Sequence, residues 1–305
     1  MESLLLLICC LALGIAFRMS GLLPEKAYLS LNSIIIYAAL PALILQKIPA
    51  IPFSNNVLMP VLMPWLIFLI AIPYFIFLGK RRGWDRQTLG CLIITCGFGN
   101  TSFVGIPILQ MLWGEEGVQI AIMADQPGSF AALSTIGIIV ASYYSAGKSS
   151  KRELIGRVFR FPPFLAFLLA LALNFSNSQM PAFAGYTLAR LGDLVVPLAL
   201  LSVGMQLNPS VPEKDRNKLA IGLCFKLIVA PAIIFVLYII ILDNHGILSR
   251  GSVLEAGMGP MITAAIIATN FGLRPDLTGS MVGFGIPLSF LTLPVWYWLM
   301  QSGIN

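Results

Sequence analysis

The chain is dominated by a succession of apolar runs near twenty residues long, separated by short polar links, and this most limits what it can fold into. Bilayer hydrocarbon is about 30 Å thick and a helix rises ~1.5 Å per residue, so ~20 apolar residues make one crossing. Taken in order, the runs predict spans at 3–21, 28–47, 57–79, 88–110, 118–146, 161–177, 184–206, 217–242, 252–272 and 277–300. Ten crossings put both termini on the same side. With 58% hydrophobic and 10% charged residues, the chain has too little polar surface for a soluble globular domain. No link exceeds about 15 residues, so a separate soluble domain is not expected. The run from Leu4 to Phe17 is led by Glu2 rather than by a cation and lacks a small-residue cleavage site, so it reads as the first span.

Charge assigns the sides. Lys80, Arg81, Arg82, Arg86, Lys148, Lys151, Arg152, Arg157, Arg160, Lys214, Arg216 and Lys218 all fall in alternate links or at their margins, whereas the opposite links hold Lys47 and Arg250. Cations collect on the cytoplasmic side, so both termini are expected outside the cytoplasm of a multi-pass cytoplasmic-membrane protein. The net charge of +6 is then a matter of topology rather than of nucleic-acid binding. The five cysteines lie within spans and lack paired-loop spacing, which argues against a disulfide framework or a zinc site. His245 stands alone in an outer link, where a histidine is ordinarily just solvated.

Two apolar runs cannot be continuous helices. Gly97 to Pro107 places three glycines, a proline, Asn100, Thr101 and Ser102 inside the fourth span, and Gly257-Met258-Gly259-Pro260 does the same to the ninth. At bilayer depth an interrupted helix exposes backbone groups that lipid cannot satisfy, so each break must be buried in protein or line a wet cavity. Paired broken helices point to the binding site of a secondary transporter. Splitting after the fifth span yields halves 1–146 and 161–305, of opposite orientation, joined by a basic cytoplasmic linker at 147–160. The second and seventh spans carry matching prolines, Pro41 and Pro197.

The stretches Leu31-Asn32 through Pro41, Gly99-Asn100-Thr101 through Pro107, Arg160-Phe-Pro-Pro, Leu191-Gly-Asp193 through Gly204, Lys226 through Pro231, and Pro260 through Asp276 occur in an order and spacing that resemble the auxin efflux carrier family. That family includes plant auxin carriers and bacterial relatives described as malonate or malate carriers. The resemblance implies an all-α fold of ten transmembrane helices in two inverted five-helix repeats, like sodium/proton antiporters and bile-acid symporters. It also implies crossing broken helices 4 and 9 beside the substrate and an elevator-like movement. Plant members carry a proline immediately before the residue matching Asn100, where this chain has Gly99, and many have a large cytosolic loop that is absent here.

Ionisable residues inside a membrane cost about 2.5–3.5 kcal/mol each, so each needs a reason. Lys226 is either a positive pole for an anion, a partner for a carboxylate, or a lysine snorkelling to the interface. Asp193 is a recurring family position; it either exchanges a proton or caps a helix beside Arg190. Asp125, where plant relatives look neutral, either sets coupling or caps a helix restarted by Pro127. Glu255, close to Arg250, reads as interfacial. The breaks create helix N-termini carrying about half a positive charge and unpaired N–H groups, suited to a carboxylate. Gly99 and Pro260 form the breaks, and Asn100, Thr101, Ser102, Thr263 and Asn270 add side-chain donors, unless their polar groups bond back to their own helices.

The expected function is secondary active or potential-driven transport of a small organic anion within the lipid bilayer. A proton is the favoured coupling ion and sodium the less favoured one, with no cofactor or resident metal. A homodimer is compatible with this reading. The alternative is a channel or substrate sensor, which ought to show a filter or a regulatory domain. An enzyme is not expected, since neither a catalytic pair nor a nucleotide-binding loop is recognisable.

Overall fold

A computed structural model describes residues 2–24, 27–50, 57–145, 162–176, 182–206 and 215–302. The basic linker 147–160 lies outside the described residues. Among those described, secondary structure is helical throughout, apart from one isolated backbone pairing. In chain order the helices are α1 (Glu2–Ser20), α2 (Ala27–Lys47), α3 (Leu58–Arg82), α4 (Arg86–Gly97), α5 (101–113), α6 (115–144), α7 (Pro162–Phe175), α8 (Ala182–Gly192), α9 (Val195–Gln206), α10 (Arg216–Ile241), α11 (Ile247–Ala256), α12 (Ile262–Asn270) and α13 (Pro275–Ser302). Six stretches, Ala27–Lys47, Leu58–Arg82, Thr101–Tyr144, Phe183–Met205, Arg216–Ile241 and Pro275–Gln301, are long and apolar enough to cross a membrane. Within the third, Gly114 adopts φ 58°, ψ −130°, a conformation open to glycine, and the chain changes direction there from α5 into α6.

The chain forms two compact units. The first comprises 1–55, 102–122 and 156–207. Within it α1 lies against α9 so closely that a Cβ on Gly14 would sit 2.3 Å from the Leu201 carbonyl oxygen and 2.9 Å from the Gly204 Cα, the close backbone approach that small residues allow. Asn32 and Ser202 hydrogen-bond to one another in its interior, and Asn174 Nδ2 donates to the Ile48 and Pro49 carbonyls at 3.1 and 2.9 Å. Lys47 pairs with Glu115. Within the seventh predicted span, Asp193 and Leu194 form a turn between α8 and α9.

The second unit comprises 56–101, 123–155 and 208–305. Its helices are repeatedly distorted by proline, whose ring denies the carbonyl four residues earlier its N–H. In α10, Pro231 is preceded by a widened turn in which the Ala230 N–H reaches five residues back to Phe225. The Leu227 carbonyl, four residues before Pro231, instead accepts the Trp296 indole N–H at 3.0 Å. Trp65 Nε1 likewise donates to the Pro127 carbonyl of α6 at 3.0 Å. Both tryptophans thus satisfy backbone oxygens that lipid could not. Trp296 is a strut between α10 and α13, whereas Trp298 is exposed.

One end of this unit is held by ions. Asp85 caps α4, accepting the Thr88 N–H and hydroxyl, both at 2.8 Å. Arg274 makes two bonds to Asp215, at 2.7 and 2.8 Å, and lies 3.4 Å from Asp85. Lys218 also contacts Asp215, at 2.8 Å. Burial pushes the Asp215 carboxyl up, but Lys218 and Arg274 outweigh it and hold the group below the usual carboxylate range. Asp85 is lowered too, its partial burial being outweighed by the Thr88 bonds and Arg274. These contacts join the links that precede α4, α10 and α13.

Candidate functional site

The two predicted breaks meet inside the second unit. Helix α4 stops at Gly97 and α11 at Ala256, and the extended segments that follow run antiparallel past each other, with Gly99 opposite Pro260. The Asn100 N–H donates to the Gly259 carbonyl at 2.8 Å, and the Met261 N–H to the Phe98 carbonyl at 3.1 Å. Backbone groups that helices would have paired internally are therefore paired across the breaks. Glycine is required by packing here: a Cβ on Gly259 would lie 2.7 Å from the Ile286 Cα, and one on Gly285 would lie 2.3 Å from the Pro260 ring. Phe68 stacks on Phe98 at 4.5 Å and closes one side.

Charged side chains converge on this crossing. Lys226 sits in the widened turn before Pro231, is 1% exposed, and donates from Nζ to the Ala256 carbonyl at 2.7 Å. It thus caps the C-terminal end of α11, where the helix dipole favours a cation. A Cβ on Gly99 would lie 3.1 Å from this Nζ and 3.0 Å from the Glu255 carbonyl, so the glycine leaves room for the lysine. Asp125, 2% exposed, lies in a second widened turn around Pro127. Its carboxylate accepts the Thr101 hydroxyl at 2.6 Å and the Gln126 side-chain amide, and Ser129 Oγ is 3.4 Å from Thr101 Oγ1. Glu255 is fully buried, and neither of its carboxylate oxygens has a hydrogen-bond partner among the described residues.

Of the residues singled out in the sequence, Gly99, Asn100, Thr101, Pro260, Lys226 and Asp125 all belong to this unit and are buried around or beside the crossing. Thr263 is half-buried in the first turn of α12, and Met261 before it caps that helix with no side-chain bond. Asn270 is at the opposite end of α12, about 12 Å along the axis, and is exposed. Ser102 is buried and Asp193 exposed, and both belong to the first unit. Arg190 lies over the Tyr186 ring, 5.3 Å from its centroid.

Glu255 corrects the interfacial expectation: its nearness to Arg250 along the chain suggested the outer boundary, yet its side chain is buried completely. The signal that identifies it is its position one residue before the end of α11, at the break itself. Gln126 and Ser129 gain their place from the widened turn around Pro127, which re-aims side chains in a way helical periodicity does not reveal.

The profile of the membrane transport protein family matches residues 1–297. The chain belongs to this family, that of the auxin efflux carriers. It is similar to an uncharacterized transporter of Methanocaldococcus jannaschii, with 28% identity covering 99% of each chain. An uncharacterized transporter of Methanothermobacter thermautotrophicus is also 28% identical, across 97% of this chain and 96% of its own length. Auxin efflux carrier component 1 of Arabidopsis thaliana is 25% identical over 126 residues, 41% of this chain and 20% of the plant protein. The protein is a multi-pass membrane transporter.

Proposed function

We propose that this transporter moves a small organic anion across the cell membrane by secondary transport, with the crossing in the second unit as its substrate site. The observation that carries the reading is the backbone pairing of Phe98–Asn100 with Gly259–Met261, which holds two interrupted helices open side by side. The half-helices that resume after the breaks start with N–H groups lacking intrahelical partners and with the positive ends of their dipoles, a setting for a carboxylate that needs no full cation. Asn100, Thr101 and Thr263 are the side-chain donors of this reading, and Lys226 sets the local potential while bonded to Ala256. The ten-helix inverted repeat and elevator-like displacement of the crossing accompany it from the family resemblance, and termini outside the cytoplasm from the distribution of basic links. A small carboxylate, auxin-like or dicarboxylate, is the substrate class.

Uptake of labelled malonate, malate and indole-3-acetate into proteoliposomes, under separately imposed pH, sodium and potential gradients, tests this proposal. We expect saturable uptake of at least one anion, reduced tenfold or more by Asn100→Ala in protein that elutes and melts like the wild type. Equal uptake by wild type and Asn100→Ala sinks the site.

A further inference from the structure

The charge balance of the buried cluster leads beyond the anion. Lys226, Asp125 and Glu255 are each no more than 2% exposed. If all three are ionised, the cluster holds one positive and two negative charges. Asp125 has hydroxyl and amide donors from Thr101 and Gln126, and Lys226 donates to a backbone carbonyl. Glu255 has no donor on either oxygen among the described residues. An ionised carboxylate in that position is the least tolerable kind of buried group, and neutralisation is the usual escape. We propose that Glu255 is a proton-binding site of the transporter: one proton, taken from water onto a carboxylate oxygen, neutralises the cluster, and its later release is the coupling step. The coupling step rests on the transport reading above; the binding site does not.

The surroundings single out Glu255. The charged groups whose fields reach it are Asp125 on α6 and Lys226 on α10. On the other elements packed against α11, charges lie far off. Lys80, Arg81 and Arg82 are at the opposite end of α3 from Met59, which meets α11 through Ser249, placing them about 20 Å away by helix rise. Asp276 is nine residues before Gly285 on α13, about 13 Å along the helix. Arg250 is on α11 itself, about 7.5 Å along the axis, and Tyr238 on α10 gives its hydroxyl to the Met59 carbonyl. A proton needs a single lone pair. A hard metal cation needs several oxygens, and the Lys226 ammonium beside the Glu255 backbone repels it.

Infrared titration of the lipid-reconstituted full chain, with no substrate present, reads the proton directly. We expect a protonated-carboxyl band in the wild type that shifts when glutamate, but not aspartate, carries a carbon-13 carboxyl. The band should vanish in Glu255→Gln and persist in Asp125→Asn. Lys226→Met, which removes the nearby cation, should carry it to higher pH by at least tenfold in proton affinity. The isotope experiment uses wild-type protein and stands even if a variant misfolds. No such band at any pH, a band that follows labelled aspartate, or one that survives Glu255→Gln overturns the proposal, as does a carboxyl signal that responds to sodium alone. A Glu255 band without uptake of any anion separates failure of the substrate reading from failure of the proton site.

Discussion

Gly99, one of the glycines at the crossing, sets how much room larger residues have there. With a side chain in its place, the Lys226 ammonium and the Glu255 carbonyl would each be crowded at about 3 Å, so the lysine's position against Ala256 depends on a missing methyl. Proline, which plant members carry here, also interrupts a helix, but its Cβ would press on Lys226 and on the Glu255 carbonyl at about 3 Å. Removing the lysine should act in two ways. Lys226→Met leaves the buried Ala256 carbonyl without its donor, a loss of about 1–3 kcal/mol, and strips the two carboxylates of their cation. The double variant Lys226→Met with Glu255→Gln should recover part of that loss. Thermal melts of wild type, both single variants and the double variant measure the coupling; strictly additive losses would show that Lys226 acts only as a helix cap.

At the scale of elements, prolines do more than bend helices. Pro127 and Pro231 widen the turns that carry Asp125 and Lys226, and tryptophans from α3 and α13 accept the backbone consequences. The end of the second unit is held differently, by Arg274 clasping Asp215 with Asp85 nearby. Both carboxyls ionise more readily in the folded chain than at their ordinary value of 3.8. Their contribution is therefore complete above that pH and is lost as pH falls through the lowered folded values. The melting temperature should drop on acidification below about pH 4, in the window set by reference carboxylates. Arg274→Ala should lower stability at neutral pH by about 1–3 kcal/mol and flatten the acid decline, since part of the linked interaction is already gone. An unchanged acid profile in that variant would mean that other carboxylates govern it.

For the whole molecule, the distribution of lysine and arginine among the links makes a claim independent of any site. Basic links should be cytoplasmic, placing both ends of the chain outside. Phosphatase fused after Asn305 should be active, and a reporter that fluoresces only in the cytoplasm should be dark there; the opposite result would invert the transporter in its membrane. Two compact units are each assembled from segments distant in the chain, so neither unit corresponds to one sequence half. The crossing lies wholly in one of them, together with Lys226, Asp125 and Glu255.

Much of this was readable without coordinates, because membrane insertion leaves a chain few options. Apolar run lengths predict membrane-crossing helices, of which six among the described residues are long and apolar enough to cross, link charges predict a topology, and the glycines and prolines around Asn100 and Pro260 mark where helices must stop, since these are consequences of local composition and backbone chemistry. Tertiary structure alone decided which polar groups meet. Glu255 and Lys226 are 29 residues apart and share no periodic pattern; only the packing of α10 against α11 brings the lysine to the end of α11. Asn270, with the same sequence credentials as Asn100, ends up exposed at the far end of its half-helix. Burial and partnership depend on what a neighbouring helix supplies, and that information is distributed over the chain rather than written at either residue.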